Sequence, residues 1–232
     1  MNRRKECGKE SGVAIFYILM GVILFATLTY SFVRSVNQTQ SGNNKEQARV
    51  AANDVMREMK SIEQAIQKLR IVNNCSENEI SFYSSEWATP ADYDNTNSLN
   101  AAGDFNCFVY KSDGGGVSFS DYADSTLNGL SEGIYFSGSF AVEEVGTSAP
   151  ELMIFIRVGE QACTQINLQA NIDSNNDVGS VLAAYNVPFT GSYSLVDTIG
   201  DATSHADLEA ESYGCLIDNN DHYVFYGVLI ER

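Results

Sequence analysis

Positive charge is nearly absent from the last two thirds of this chain. Residues 71–232 contain three Lys or Arg (Lys111, Arg157 and Arg232) against 24 Asp or Glu. So acidic a stretch repels phosphate backbones and excludes nucleic-acid binding. It is read as solubility in an extracytoplasmic or salty medium, with a cation-binding surface or a basic partner as the sharper alternative. Proline is sparse, at Pro90, Pro150 and Pro188 only. Histidine occurs only at His205 and His222, which are not at ligand spacing, and no C-x-x-C is present. Together these exclude a zinc site of the usual spacing. The patterns G-x-S-x-G and H-E-x-x-H are missing, as is the phosphate-binding glycine loop. Gly114, Gly115 and Gly116 form a turn signal instead. The chain is therefore read as non-enzymatic, with no cofactor and no metal.

The longest stretch without any charge runs from Val13 to Val33, which is 21 residues. At about 1.5 Å per residue this is long enough for the roughly 30 Å hydrocarbon core of a bilayer. A cleaved signal peptide would have an apolar core of about 7–15 residues and a small-x-small cleavage site, and Tyr30 to Ser35 offer no such site. The expectation is a retained transmembrane helix, carried by Val13, Ile18, Leu19, Gly21, Ile23, Leu24, Phe25 and Leu28. Arg3, Arg4, Lys5 and Lys9 precede it, and Arg34 alone follows closely. The positive-inside rule then places the N-terminus in the cytoplasm. The expected product is a single-pass inner-membrane protein whose C-terminal domain is periplasmic or extracellular.

Five cysteines occur. Cys7 precedes the apolar run, whereas Cys75, Cys107, Cys163 and Cys215 follow it, an even number that predicts two disulfides in an oxidising compartment. Three pairings are possible, and Cys75–Cys107 with Cys163–Cys215 is preferred.

Residues 34–44 read as a polar break, with residues 1–12 as a cytoplasmic leader. An amphipathic helix is expected over 45–72, opened by Asn44 with Gln47 at capping-box spacing. Its small and apolar positions are Ala48, Ala52, Val55, Met59, Ile62, Ile66 and Leu69. Their alternating steps of four and three make a heptad seam. The seam packs on the helix's own sheet or also on copies of itself. Residues 73–232 read as a β-rich domain. Strands are expected at Ile80–Phe82, Cys107–Tyr110, Val117–Phe119, Gly133–Val142, Leu152–Val158 and His222–Ile230. A short helix is expected over Cys163–Ile172. The fold class is α+β: a transmembrane helix, an amphipathic continuation, then a mostly antiparallel sheet.

Two loops carry oxygen ligands. Asp173, Asn175 and Asp177 stand at every second position, as in a calcium loop. Val178 occupies the place of the turn glycine, however, and Ala184 that of the bidentate glutamate. A polar surface loop is the simpler reading, and Asp218-Asn219-Asn220-Asp221 reads as the turn before the last strand. Each histidine has a neighbouring acid, Asp207 for His205 and Asp221 for His222.

The text K-E-S-G-V-A-I-F-Y-I-L-M-G-V-I-L-F-A, with its positive leader, helical continuation, β-rich domain and distal cysteines, resembles the type IV pilins and pseudopilins. The resemblance covers about the first 70 residues. Gly8 and Gly12 are the candidate leader glycines. The fifth residue after either, Val13 or Tyr17, is not the glutamate that the family carries. The resemblance implies a minor or divergent structural subunit of a pilus or secretion-system filament. Its partners would be other pilin-like subunits and an inner-membrane assembly platform. The competing expectation is an anchored extracytoplasmic module that binds a cation, glycan or protein.

Overall fold

A computed structural model describes residues 11–86, 90–98, 105–119, 133–172, 185, 187–200, 206–218 and 222–232. Side chains are described throughout these except at 11–14, 31–44, 90–91 and 206. The chain divides into two compact units, residues 1–46 and 47–232.

Helix α1 covers Ser11–Ile71. Residues 34–44, expected as a break, are helical within it. Among the described residues no helix is long and apolar enough to cross a membrane. This overturns the transmembrane helix over 13–33, and with it the single-pass inner-membrane placement.

In the second unit, strands β1 (Ile134–Val142), β2 (Glu151–Val158), β3 (Asp197–Ile199), β4 (Tyr213–Ile217) and β5 (Tyr223–Ile230) form one sheet in the order β3-β1-β2-β5-β4. β1–β2, β2–β5 and β4–β5 are antiparallel, while β3 lies parallel to β1. The sheet is thus mixed. The expected fold class fails on this point as well as on the membrane helix. The reason is the long return from β2 to β3, which brings β3 to the far edge in the same direction as β1.

Both faces of the sheet are apolar. Ile134, Phe136, Leu152, Ile154, Ile156 and Phe225 share one core with the C-terminal part of α1. Ala52, Val55, Met59, Ile62, Ile66 and Leu69 of the heptad seam lie in that core, each no more than 2 % exposed, and Ala48 is buried nearby. The seam therefore faces its own domain. On the other face Phe140, Val142, Met153, Phe155, Leu216, Val224 and Tyr226 form a second core. This two-sided burial explains why β2 reads as a continuous apolar run and not as an alternation. Helix α1 comes very close to β5 at Gly227. A Cβ there would lie 2.6 Å from Met59 Sδ, so glycine allows the close approach.

The expected strands at Ile80–Phe82, Cys107–Tyr110 and Val117–Phe119 are not strands. One isolated parallel bridge joins Ser81 and Phe108. Their apolar residues are held by local closure instead. The Cys75–Cys107 disulfide spans 5.8 Å between Cα atoms, and the Gly115 amide donates to Phe108 O. Lys68 Nζ of α1 donates to Gly114 O at 2.6 Å. At Gly115 an added Cβ would sit 2.5 Å from Val109 O and 3.0 Å from Ala65. The glycines thus let the turn close on the helix.

Helix α2 (Glu160–Gln169) starts three residues before the helix expected at Cys163. It closes the outer edge of β4. Cys163 is disulfide-bonded to Cys215 of β4. One turn further on, Asn167 accepts from the Cys215 amide at 2.8 Å and donates to the Cys215 carbonyl at 3.0 Å. The side-chain amide therefore does what a neighbouring strand would do, and blocks strand addition at that point. Asn167→Ala is expected to lower the unfolding free energy by about 2–4 kcal/mol, because it orphans a buried donor and a buried acceptor. Urea denaturation of the oxidised protein measures this, and an unchanged midpoint would contradict the edge-closing role.

Candidate functional site

Three features stand out against this frame: the apolar segment of α1, a polar cluster on the second face of the sheet, and one buried carboxyl group. In the α1 segment the side chains from Ile15 to Tyr30 are exposed. Ile18 is 67 % exposed, Phe25 74 % and Leu28 69 %. Leu19, Ile23 and Leu24 are similarly open, and nothing lies within 4 Å of a Cβ built at Gly21. Successive residues of a helix are rotated by about 100°, so Ile15, Phe16, Met20, Leu24, Leu28 and Phe25, all exposed, point in directions spread around the whole circumference. The two threonine hydroxyls of the segment are satisfied within the helix. Thr27 Oγ1 donates to Leu24 O at 2.9 Å and Thr29 Oγ1 to Phe25 O at 2.8 Å. Of the eight residues expected to carry this segment, Val13 alone falls outside the described side chains.

The polar cluster begins with Arg157 on β2. Arg157 pairs across the sheet with Val224 of β5, and His222 stands two residues before Val224. Both side chains therefore leave the same face of the sheet. Arg157 Nε donates to Tyr185 Oη at 2.8 Å, and Tyr185 Oη donates to Asp218 Oδ2 at 2.9 Å. Asp218 Oδ2 also lies 3.0 Å from His222 Nδ1, and Asp218 Oδ1 accepts from the His222 backbone amide at 2.9 Å. The Asp218 carboxylate is 2 % exposed and the His222 side chain 32 %. The guanidinium of Arg157 stands over the rings of Tyr135 and Tyr185, at 5.7 and 5.9 Å from their centroids. Burial pushes the Tyr185 hydroxyl up to about 12, so it remains a donor to Asp218. Burial opposes the Arg157 charge, but the hydrogen bond to Tyr185 and the charges of this cluster outweigh that and raise its pKa.

Among the described residues the acid that meets His222 is thus Asp218, across the hairpin. Asp221, His205 and the Asp173–Gly179 loop lie outside the described residues. Among the described residues no group of three or more His, Cys, Asp or Glu could hold a metal ion. Sequence reasoning did not connect Arg157 with Tyr185 and Asp218. The available signal was Arg157 itself, one cation inside L-M-I-F-I-R-V, which needs an acid once that strand is buried.

A groove of about 670 Å³ lies beside the Cys75–Cys107 disulfide, lined by Gln67, Arg70, Ser76, Glu77 and Asn78 among others. Its charges are already matched, since Glu77 pairs with Arg70 at 3.1 Å and with Arg232 at 3.3 Å. The groove is therefore read as a structural corner.

With this geometry in hand, comparison with known proteins adds no assignment: no protein-family model, curated protein or solved structure matches the chain.

The buried carboxyl is Glu151, at the start of β2. It is fully buried, and among the described residues neither of its oxygens makes a hydrogen bond of good geometry, the Val142 backbone being only a weak partner. Burial raises its pKa from 4.5 to about 8, with the Val142 backbone opposing this and the Glu231 charge adding to it. Between those values the folded chain holds a proton that the unfolded chain releases. Stability is therefore full below about pH 4.5, falls as pH rises towards 8, and levels off above. Glu151→Gln, which stays neutral, is expected to flatten this slope. Urea midpoints compared at about pH 5 and about pH 8 test it, and parallel pH dependence of both proteins would refute the assignment to Glu151.

Proposed function

We propose that this chain is a pilin-like or pseudopilin-like structural subunit of a pilus or secretion-system filament. The exposed, uncharged circumference of α1 over Ile15–Tyr30 carries the reading. A helix that is apolar on every side is stable in water only when it is covered on every side. A single partner leaves part of the circumference wet, so the cover has to come from several neighbours. Copies of the same chain, or related pilin-like subunits, supply that when they repeat head to tail, the arrangement that produces open filaments. The resemblance of the N-terminal text to pilins points the same way, and it implies an assembly platform as a further partner. The C-terminal part of α1 has a different task, since its seam is buried in its own domain.

The reading is tested by crosslinking. In the producing cell, single cysteines placed at Ile18, Leu24 or Leu28, with Cys7 replaced by serine, are expected to crosslink between copies or to another pilin-like subunit. Leu24→Lys is expected to abolish the crosslinked ladder, because an unpaired charge inside a helix bundle costs several kcal/mol. If no position along the segment ever forms a crosslink, the assembly reading is wrong.

A further inference from the structure

The polar cluster on the second sheet face spends only part of its donor capacity. Arg157 has five N–H donors in a rigid fork, and among the described residues one of them, Nε–H, is used. The hydrogen bonds of Asp218 lock the ring of His222 through Nδ1 and its backbone amide, and Nε2 has no partner among the described residues. Asp218 thus orients two groups at once, His222 directly and Arg157 through the Tyr185 hydroxyl. Its oxygens are occupied by those donors. The two tyrosine rings hold the plane of the guanidinium. A purely structural pin between Arg157 and Asp218 would use a direct, two-pronged ion pair. Here a tyrosine is interposed and the paired terminal nitrogens of the fork are left over.

We propose that this cluster is a binding site for a small organic carboxylate, held by the terminal nitrogens of Arg157 and seconded by His222. The planar fork matches both oxygens of a carboxylate. In its charged form His222 adds a donor at Nε2 while Asp218 keeps Nδ1. A small monoanion is the class that fits. Residues 71–232 carry 24 acidic against three basic groups, a field that repels di- and polyanions more strongly. The proposal is independent of filament assembly, since every group belongs to the second compact unit and none to the apolar segment of α1.

The test is an NMR titration of the isotope-labelled full chain with its disulfides intact, following the Arg157 guanidinium and the His222 imidazole. Sodium glucuronate and sodium acetate are the carboxylate probes, with glucose and sodium sulfate as controls. Saturable shifts at millimolar glucuronate are expected, and Arg157→Lys, which keeps the charge but not the fork, is expected to weaken binding about tenfold. His222→Gln leaves the Arg157–Tyr185–Asp218 chain in place and is expected to weaken binding less. Saturation by acetate as well would extend the site to simple carboxylates, whereas saturation by glucuronate alone would restrict it to sugar acids. No saturable shift with either probe would overturn the proposal. So would equal shifts with glucose or sulfate, or wild-type affinity in Arg157→Lys.

Discussion

The second compact unit depends on one contact, the seam of α1 from Ala52 to Leu69 laid against Ile154, Ile156, Phe136 and Phe225. A sheet with two apolar faces has to be covered twice. The helix covers one face, and the return segments through Tyr185, Ile199 and Leu208 cover the other. Gly227 allows the helix to come within reach of β5 where any side chain would displace Met59. The same helix then fixes the first loop region, with Lys68 on Gly114 and Ala65 against Gly115. That is why residues 75–119 need little sheet of their own.

The disulfides secure what this packing leaves open. Cys75–Cys107 closes the loop region beyond the end of α1, and Cys163–Cys215 ties α2 to the edge strand β4. The second bond and Asn167 act within one helical turn of each other. One supplies a covalent tether, and the other satisfies the backbone groups that an edge strand exposes. Such cross-links belong to an oxidising compartment.

The polar cluster shows how a charge within an apolar strand is answered. Arg157 interrupts an otherwise apolar strand, and an unpaired cation there would be costly. Asp218 answers it from the far side of β5 through Tyr185, a residue 33 positions earlier in the chain than Asp218. Glu151 is the contrasting case, a buried acid that no cation answers, and its burial is why its proton is retained. Both are single polar residues at the ends of apolar runs. Only their surroundings distinguish a matched charge from an unmatched one.

Much of the second unit was legible because its signals are local. The heptad steps from Ala48 to Leu69 marked the buried stripe of α1, since helical period maps directly onto a face. The runs at Gly133–Val142, Leu152–Val158 and His222–Ile230 marked the three central strands, since burial on both faces leaves no polar alternation. The short segments at Ile80, Cys107 and Val117 misled, because apolar content there reflects packing under α1 and not strand pairing. The polar text at 34–44 suggested a break in a helix that in fact continues, since helix propensity in a long rod outweighs a few poor residues. The sequence by itself determined where the apolar segments lie, which residues of α1 turn inward, and how many cysteines are available to pair. Only the tertiary structure decided the parallel placement of β3, the edge closure by Asn167, and the meeting of Arg157, Tyr185, Asp218 and His222. Those depend on strand order, which brings together residues far apart in the chain and leaves no periodic trace within any one of them.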